Sequence, residues 1–215
     1  MKKHSLKAIV IPTIAFILCG ILYVSGYFQI IFAVLIALLA SWVEYGRGTF
    51  KSLGFRRSNL KAKQLLVVAP VAAAIIFILY LFVIVPGVTY FTGEPMDFSL
   101  LETYRGNLPA ILLLIIFAWV SAGFGEEILF RGYLMRQFTK FFGSSTLSIV
   151  LNILILGVVF GWLHSYQGIS GQIVTGIVGA IIATIFHVRK DDLWFVIAIH
   201  GFFDTIALSS YYIFY

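Results

Sequence analysis

The chain has 215 residues, of which 61% are hydrophobic and only 11% charged, and it carries a net charge of +6 at neutral pH. A soluble domain is nearer half apolar and a quarter charged, so this chain could not coat a water-facing surface, and disordered, collagen-like and coiled-coil readings fail on the same numbers. The single cysteine, Cys19, excludes an intrachain disulfide and any cysteine-based metal cluster.

Seven apolar stretches are long enough to cross a bilayer, at roughly 8–25, 28–43, 64–86, 108–135, 146–164, 172–188 and 193–211. They predict an all-α fold, a polytopic membrane helical bundle of about seven transmembrane helices, forming one integral membrane domain over 1–215. The first stretch follows Lys2, Lys3 and Lys7 and so resembles a signal peptide. Its apolar run is too long for one and no small-x-small site follows, so it reads as a retained span. Between the second and third stretches, Glu44–Lys63 holds six basic residues against one acidic. Alternating the spans puts 14 of the 15 Lys and Arg on one side and leaves Arg105 alone opposite. The positive-inside rule then places the protein in the cell membrane with a cytoplasmic N-terminus and an outer C-terminus. Tyr211, Tyr212 and Tyr215 would form an outer aromatic belt. The positive charge follows topology, so the bilayer is the expected partner and nucleic acid is not.

Ionisable residues inside such spans are costly and mark function. They concentrate at three places in the C-terminal half. In Gly125-Glu126-Glu127-Ile128-Leu129-Phe130-Arg131, residues four apart share a helix face, so Glu127 and Arg131 can pair. Glu126 points elsewhere and is left free for acid–base work. Phe160-Gly161-Trp162-Leu163-His164 closes the fifth stretch, and His200-Gly201-Phe202-Phe203-Asp204 puts a His–Asp pair on one face of the last. Asn152, Gln172 and Gln29 read as interhelical hydrogen-bonding groups, and Gly157 with Gly161 as a close-packing pair.

The levels of these residues refine the spans. If the fourth helix meets the inner surface at Arg136, Glu126 is about 15 Å deep, and His200 and Asp204, counted from Leu193, about 10 and 16 Å. His164 reaches a matching level only if residues near Gln137–Ser148 lie along the inner interface and the fifth span starts near Ile149. Phe138, Phe141 and Phe142 around Lys140 suit such an amphipathic segment. His164 should then stand within about 8 Å of Glu126, in a cavity opening inward.

Taken in order, Glu126-Glu127-x-x-x-Arg131, Phe160-x-x-x-His164 and His200-x-x-x-Asp204 resemble the motif set of the CPBP (Abi) family, the CAAX proteases and bacteriocin-processing enzymes. The resemblance covers about 107–210, the expected catalytic core. It implies an intramembrane endopeptidase in which Glu126, helped by His164, activates water, His200 and residue 204 stabilise the oxyanion, and Glu127 and Arg131 hold the site together. Asp204 is a departure within that scheme, because an ionised carboxylate cannot donate to an oxyanion. It either carries a proton or orients His200. The implied substrate is a membrane-associated peptide or a lipidated protein, and the implied cofactor is none. A zinc site built from the two histidines and two carboxylates stands as the alternative, although no H-E-x-x-H motif occurs.

Two further readings compete with the peptidase. Some members of that family are associated with bacteriocin self-immunity, a non-enzymatic role. Intramembrane Glu, His and Asp also suit a proton-coupled transporter, but the first three spans hold no matching groups and no inverted repeat is evident.

Overall fold

The structure, a computed structural model, describes residues 6–26 and 29–214; Lys2, Lys3, Phe28 and Tyr215 lie outside the described residues. Among the described residues all regular structure is helical. Seven main helices follow in order: α1 (Leu6–Val24), α2 (Ile30–Tyr45), α3 (Gln64–Thr92), α4 (Leu108–Phe142), α5 (Thr146–Trp162), α6 (Gly168–Val188) and α7 (Leu193–Phe214). Six helical segments are long and apolar enough to cross a membrane by length and composition; the second of them begins with α2 and runs through short helical turns to Asn59, and α5 is not among them. Helix α5 has 17 residues, at the short end of what spans a hydrocarbon core. The protein is a multi-pass membrane bundle.

The most buried helix is α7, which packs against α3, α4 and α6 and buries Val196, Ile199, His200 and Phe203. Helix α4 comes closest to it at Trp119 and Gly123: a Cβ on Gly201 would strike the Trp119 ring at 2.5 Å. The same indole donates to Thr205 Oγ1 at 3.0 Å. Gln29 is exposed, whereas Asn152 donates across to the Met135 carbonyl at 3.0 Å.

Helices α5 and α6 pack on glycine. A Cβ on Gly161 would overlap the Gln172 carbonyl oxygen and stand 3.1 Å from Gly176 Cα. It is thus the backbone carbonyl of Gln172 that meets α5. Gly161→Ala must push two helices apart, and overpacking of this kind costs about 1–3 kcal/mol. The midpoint of unfolding in detergent should fall accordingly; an unchanged midpoint would mean that the helices separate freely.

The charged residues tie one end of the bundle together. Glu44, at the end of α2, accepts from Gln137 at 3.0 Å and also from Lys140, both on α4. Arg136 pairs with Asp191 at 3.3 Å, Arg189 donates to Gln64 at 2.8 Å, and Arg56 donates to the Lys190 carbonyl at 3.1 Å. These contacts hold a tight α6–α7 turn in which Lys190 and Asp191 both have left-handed φ, 57° and 61°. At the other end the Asp97 amide donates to the Gln167 carbonyl at 3.0 Å, and Phe98 lies 6.4 Å from Tyr211. The strictly antiparallel order of the helices follows.

One expectation is corrected here. Residues 137–142 do not form a separate helix along the interface: Met135–Phe142 is amphipathic but continues α4, and α5 starts at Thr146, capped by the Ser145 hydroxyl, not near Ile149. Gln137 is buried, because the polar side of this segment is covered by Glu44.

Candidate active site

Helix α4 is wound in wider π turns over Trp119–Glu126 and again over Ile128–Leu134. Such turns recur at functional sites. Consecutive residues still leave the axis in different directions, so the two carboxylates part at Glu126 and Glu127. Glu127 enters the core with 0% of its side chain exposed, and Glu126 keeps 17% accessible.

Glu127 is a hub. Its Oε1 accepts from Arg131 Nη1 at 2.9 Å and from His200 Nδ1 at 2.7 Å. Arg131 also donates Nη2 to the Gly179 carbonyl of α6 at 2.6 Å, and its guanidinium lies 5.0 Å from the centre of the Phe160 ring. One buried ion pair thereby joins α4, α6 and α7 and rests on α5. The spacing of four residues foretold the Glu127–Arg131 contact; the further bond to His200 was not foretold.

Both imidazoles are oriented through Nδ1. That of His164 is bonded to the Phe160 carbonyl at 2.8 Å. A carbonyl only accepts, so Nδ1 carries the proton and Nε2 of the neutral ring keeps its lone pair. This Nε2 lies 3.9 Å from Glu126 Oε1. His200, anchored on Glu127, turns its Nε2 to Glu126 Oε2 at 3.9 Å and to Asp204 Oδ2 at 3.7 Å. These separations are too long for hydrogen bonds, yet short enough for one oxygen atom to touch two groups at once. Glu126 Oε2 is buried and has no hydrogen-bond partner among the described residues.

Glu126, Glu127, Arg131, His164, His200 and Asp204 therefore form one cluster, contributed by α4, α5 and α7. His164 reaches Glu126 by a different route from the one expected. Glu126 lies sixteen residues before Phe142, and His164 eighteen after Thr146. The two are level because α4 and α5 form an antiparallel hairpin about residues 143–145. The Arg136–Asp191 pair sets the register of α7 against the same helix, about 15 Å along α4 from Glu126. That distance is half of a ~30 Å hydrocarbon core.

Three participants escaped the sequence reading. The Phe160 and Gly179 carbonyls are backbone groups and carry no side-chain signal. The third is Tyr166, on the turn that follows α5; its ring lies 5.7 Å from that of His164. It is 53% exposed and lies on the α5–α6 turn, at the end of the bundle away from the basic residues.

Residues 108–206 match the family described as type II CAAX prenyl endopeptidase Rce1-like. That segment belongs to the CAAX protease family. The match begins at the first residue of α4 and ends inside α7, so it contains every residue of the cluster. For that segment the match supports a CAAX-type intramembrane endopeptidase, a hydrolase, in general terms. No match to the chain is found among curated proteins or among solved structures.

Proposed function

We propose that the CAAX-protease segment, about 107–210, hydrolyses a peptide bond near a prenylated C-terminus by a glutamate-type, metal-free mechanism. The observation that carries this reading is the placement of Glu126 between two imidazole Nε2 atoms, each 3.9 Å away, with one carboxylate oxygen buried and uncommitted. A base needs an open lone pair within reach of the proton that it takes, directly or through one water. Glu126 has it. A water held between Glu126 and His164 loses its proton to the carboxylate as its oxygen bonds the scissile carbonyl carbon. The carbonyl electron pair moves onto oxygen, where His200 Nε2 donates. Collapse expels the amine, which takes the proton from Glu126. Glu127, Arg131 and the Phe160 carbonyl do no chemistry in this scheme; they fix the imidazoles.

A groove beside the cluster supports a lipid-bearing substrate. It is a cavity of about 470 Å3 between α1, α2, α4 and α5, lined by Phe16, Tyr23, Phe130, Tyr133, Phe138 and Trp162 among others. Phe130 packs edge-on against Phe160, whose carbonyl holds His164, so one aromatic layer separates the groove from the cluster, none of whose six residues lines it. Its apolar walls suit a hydrocarbon chain.

A resident zinc ion fits these residues poorly. Glu127, the carboxylate closest to an imidazole, is committed to Arg131, and among the described residues no group of three or more His, Cys, Asp and Glu is arranged to hold a metal. We place the N-terminus in the cytoplasm on the strength of the basic end of the bundle; protease protection of terminal tags in sealed vesicles would reverse this if the C-terminal tag proved cytoplasmic.

The test is cleavage of a prenylated CAAX-type peptide by the purified full chain in lipid vesicles. Cleavage should survive exhaustive chelation and vanish in Glu126→Gln. Activity lost to EDTA and restored by zinc would establish the metal alternative instead. Cleavage undiminished in Glu126→Gln would remove Glu126 from the role of base.

A further inference from the structure

An oxyanion forming beside this cluster has few donors to meet it. Glu126 and Asp204 are acceptors when ionised, His164 spends its one proton on the Phe160 carbonyl, and the His200 Nδ1 proton goes to Glu127. With Asp204 ionised, the one donor left among the four groups around the reacting position is His200 Nε2, and it donates only from the doubly protonated ring that faces Glu127, Glu126 and Asp204. Hydrolases of this kind are commonly served by preorganised donors aimed at the charge that develops.

Tyr166, 53% exposed, stands beside this acceptor-rich ring, against His164. It lies on the turn Ser165–Gln167, one residue beyond Ser165 from His164, and its ring packs 5.7 Å from the imidazole. The phenol is fixed by a short chain of hydrogen bonds. Thr175 Oγ1 of α6 donates to Gln167 Oε1 at 2.7 Å, and Gln167 Nε2 donates to the Tyr166 oxygen at 3.4 Å. Gln167 is itself tied down, since its carbonyl accepts from the Asp97 amide at 3.0 Å. In this chain the Tyr166 oxygen is an acceptor only, so its own proton remains available. Each bond along such a chain polarises the next and makes the terminal hydroxyl a better donor.

We infer that Tyr166 is a catalytic residue of this hydrolase, donating its phenolic proton in a hydrogen bond to the oxyanion opposite His200 and so supplying the donor that a carboxylate at position 204 does not. The inference rests on the glutamate-type reading above. As the water oxygen bonds the carbonyl carbon and its proton passes to Glu126, the carbonyl π pair becomes an oxygen lone pair held by Tyr166 and His200. No proton need leave Tyr166, and on collapse the pair returns to re-form the carbonyl while the amine departs with the proton from Glu126. Thr175 and Gln167 act through the phenol and are positioning residues.

Tyr166→Phe tests this with little disturbance, because the ring and its packing on His164 remain. In vesicles, with a prenylated CAAX-type peptide, kcat should fall about 10²-fold, as when one oxyanion donor is removed, with KM within about twofold of the wild type. The Asp204→Asn background supplies the second arm. An amide at 204 can donate, so the further loss on adding Tyr166→Phe should shrink to less than tenfold. A kcat within twofold of wild type for Tyr166→Phe would overturn the inference, as would an equal loss in both backgrounds. A loss carried by KM alone would make Tyr166 a substrate-binding group and overturn it too. Glu126→Gln reads the underlying mechanism separately: if that variant cleaves normally, the glutamate reading fails whatever Tyr166→Phe does. A wild-type chain that leaves the peptide intact refutes the choice of substrate, and this inference falls with it.

Discussion

Arg131→Ala is expected to cost about 3–5 kcal/mol of stability, the usual penalty for stranding a buried charge. The guanidinium is 2% exposed, its partner Glu127 is 0% exposed, and Glu127 Oε2 is already without a hydrogen-bond partner. Removing Arg131 leaves this carboxylate with His200 alone, and it also takes from the Gly179 carbonyl its side-chain donor. Arg131→Lys should recover only part of the loss. One ammonium does not match a planar fork that meets a carboxylate on α4 and a carbonyl on α6 together. Adding Glu127→Gln to Arg131→Ala should cost less than the sum of the two single changes, since the stranded charge is then gone. Unfolding followed in detergent measures all four proteins. If Arg131→Ala unfolds with the wild type, the buried pair does not hold the bundle together.

The same pair shows what could be read from the sequence and what could not. Glu127 and Arg131 are neighbours on one helix, where spacing dictates contact whatever else the chain does. His200 and Asp204 follow the same rule on α7. Apolar runs likewise gave the helices close to their final bounds, because the bilayer sets the length of each. Contacts between helices were legible only through depth. The depth argument reached the right neighbours for His164, although it put the end of α4 at Arg136 when the helix runs on to Phe142. Phe138, Phe141 and Phe142 around Lys140 produce an amphipathic pattern. That pattern does not say whether water or another helix covers the polar side; here it is Glu44 of α2, which takes up Gln137 and Lys140. Backbone acceptors were invisible for a simpler reason. The Phe160 and Gly179 carbonyls that orient His164 and Arg131 belong to every residue type alike, and only a close approach of helices singles them out.

Glu126→Gln should lower kcat by about 10³–10⁴-fold, toward the upper end of what a positioned general base supplies. The amide keeps the size of the side chain and still reaches the space between the two Nε2 atoms, so the fold should survive and the loss should be chemical. His164→Ala should cost less on its own, about 10²-fold, because the carboxylate can still take the proton while the water loses one of its two anchors. The informative measurement is the double variant. In the proposed mechanism Glu126 and His164, 3.9 Å apart, act on one water, and groups that work as a unit are not additive. Adding His164→Ala to Glu126→Gln should therefore change kcat by less than threefold. Stability arguments give no such pattern, since His164 is bonded to its own helix and its loss leaves the Glu127–Arg131 pair intact. If the two losses multiply instead, His164 acts at another step, and protonating the leaving amine is the role left for it. That outcome would break the pairing of Glu126 with His164 while leaving Glu126 as the base.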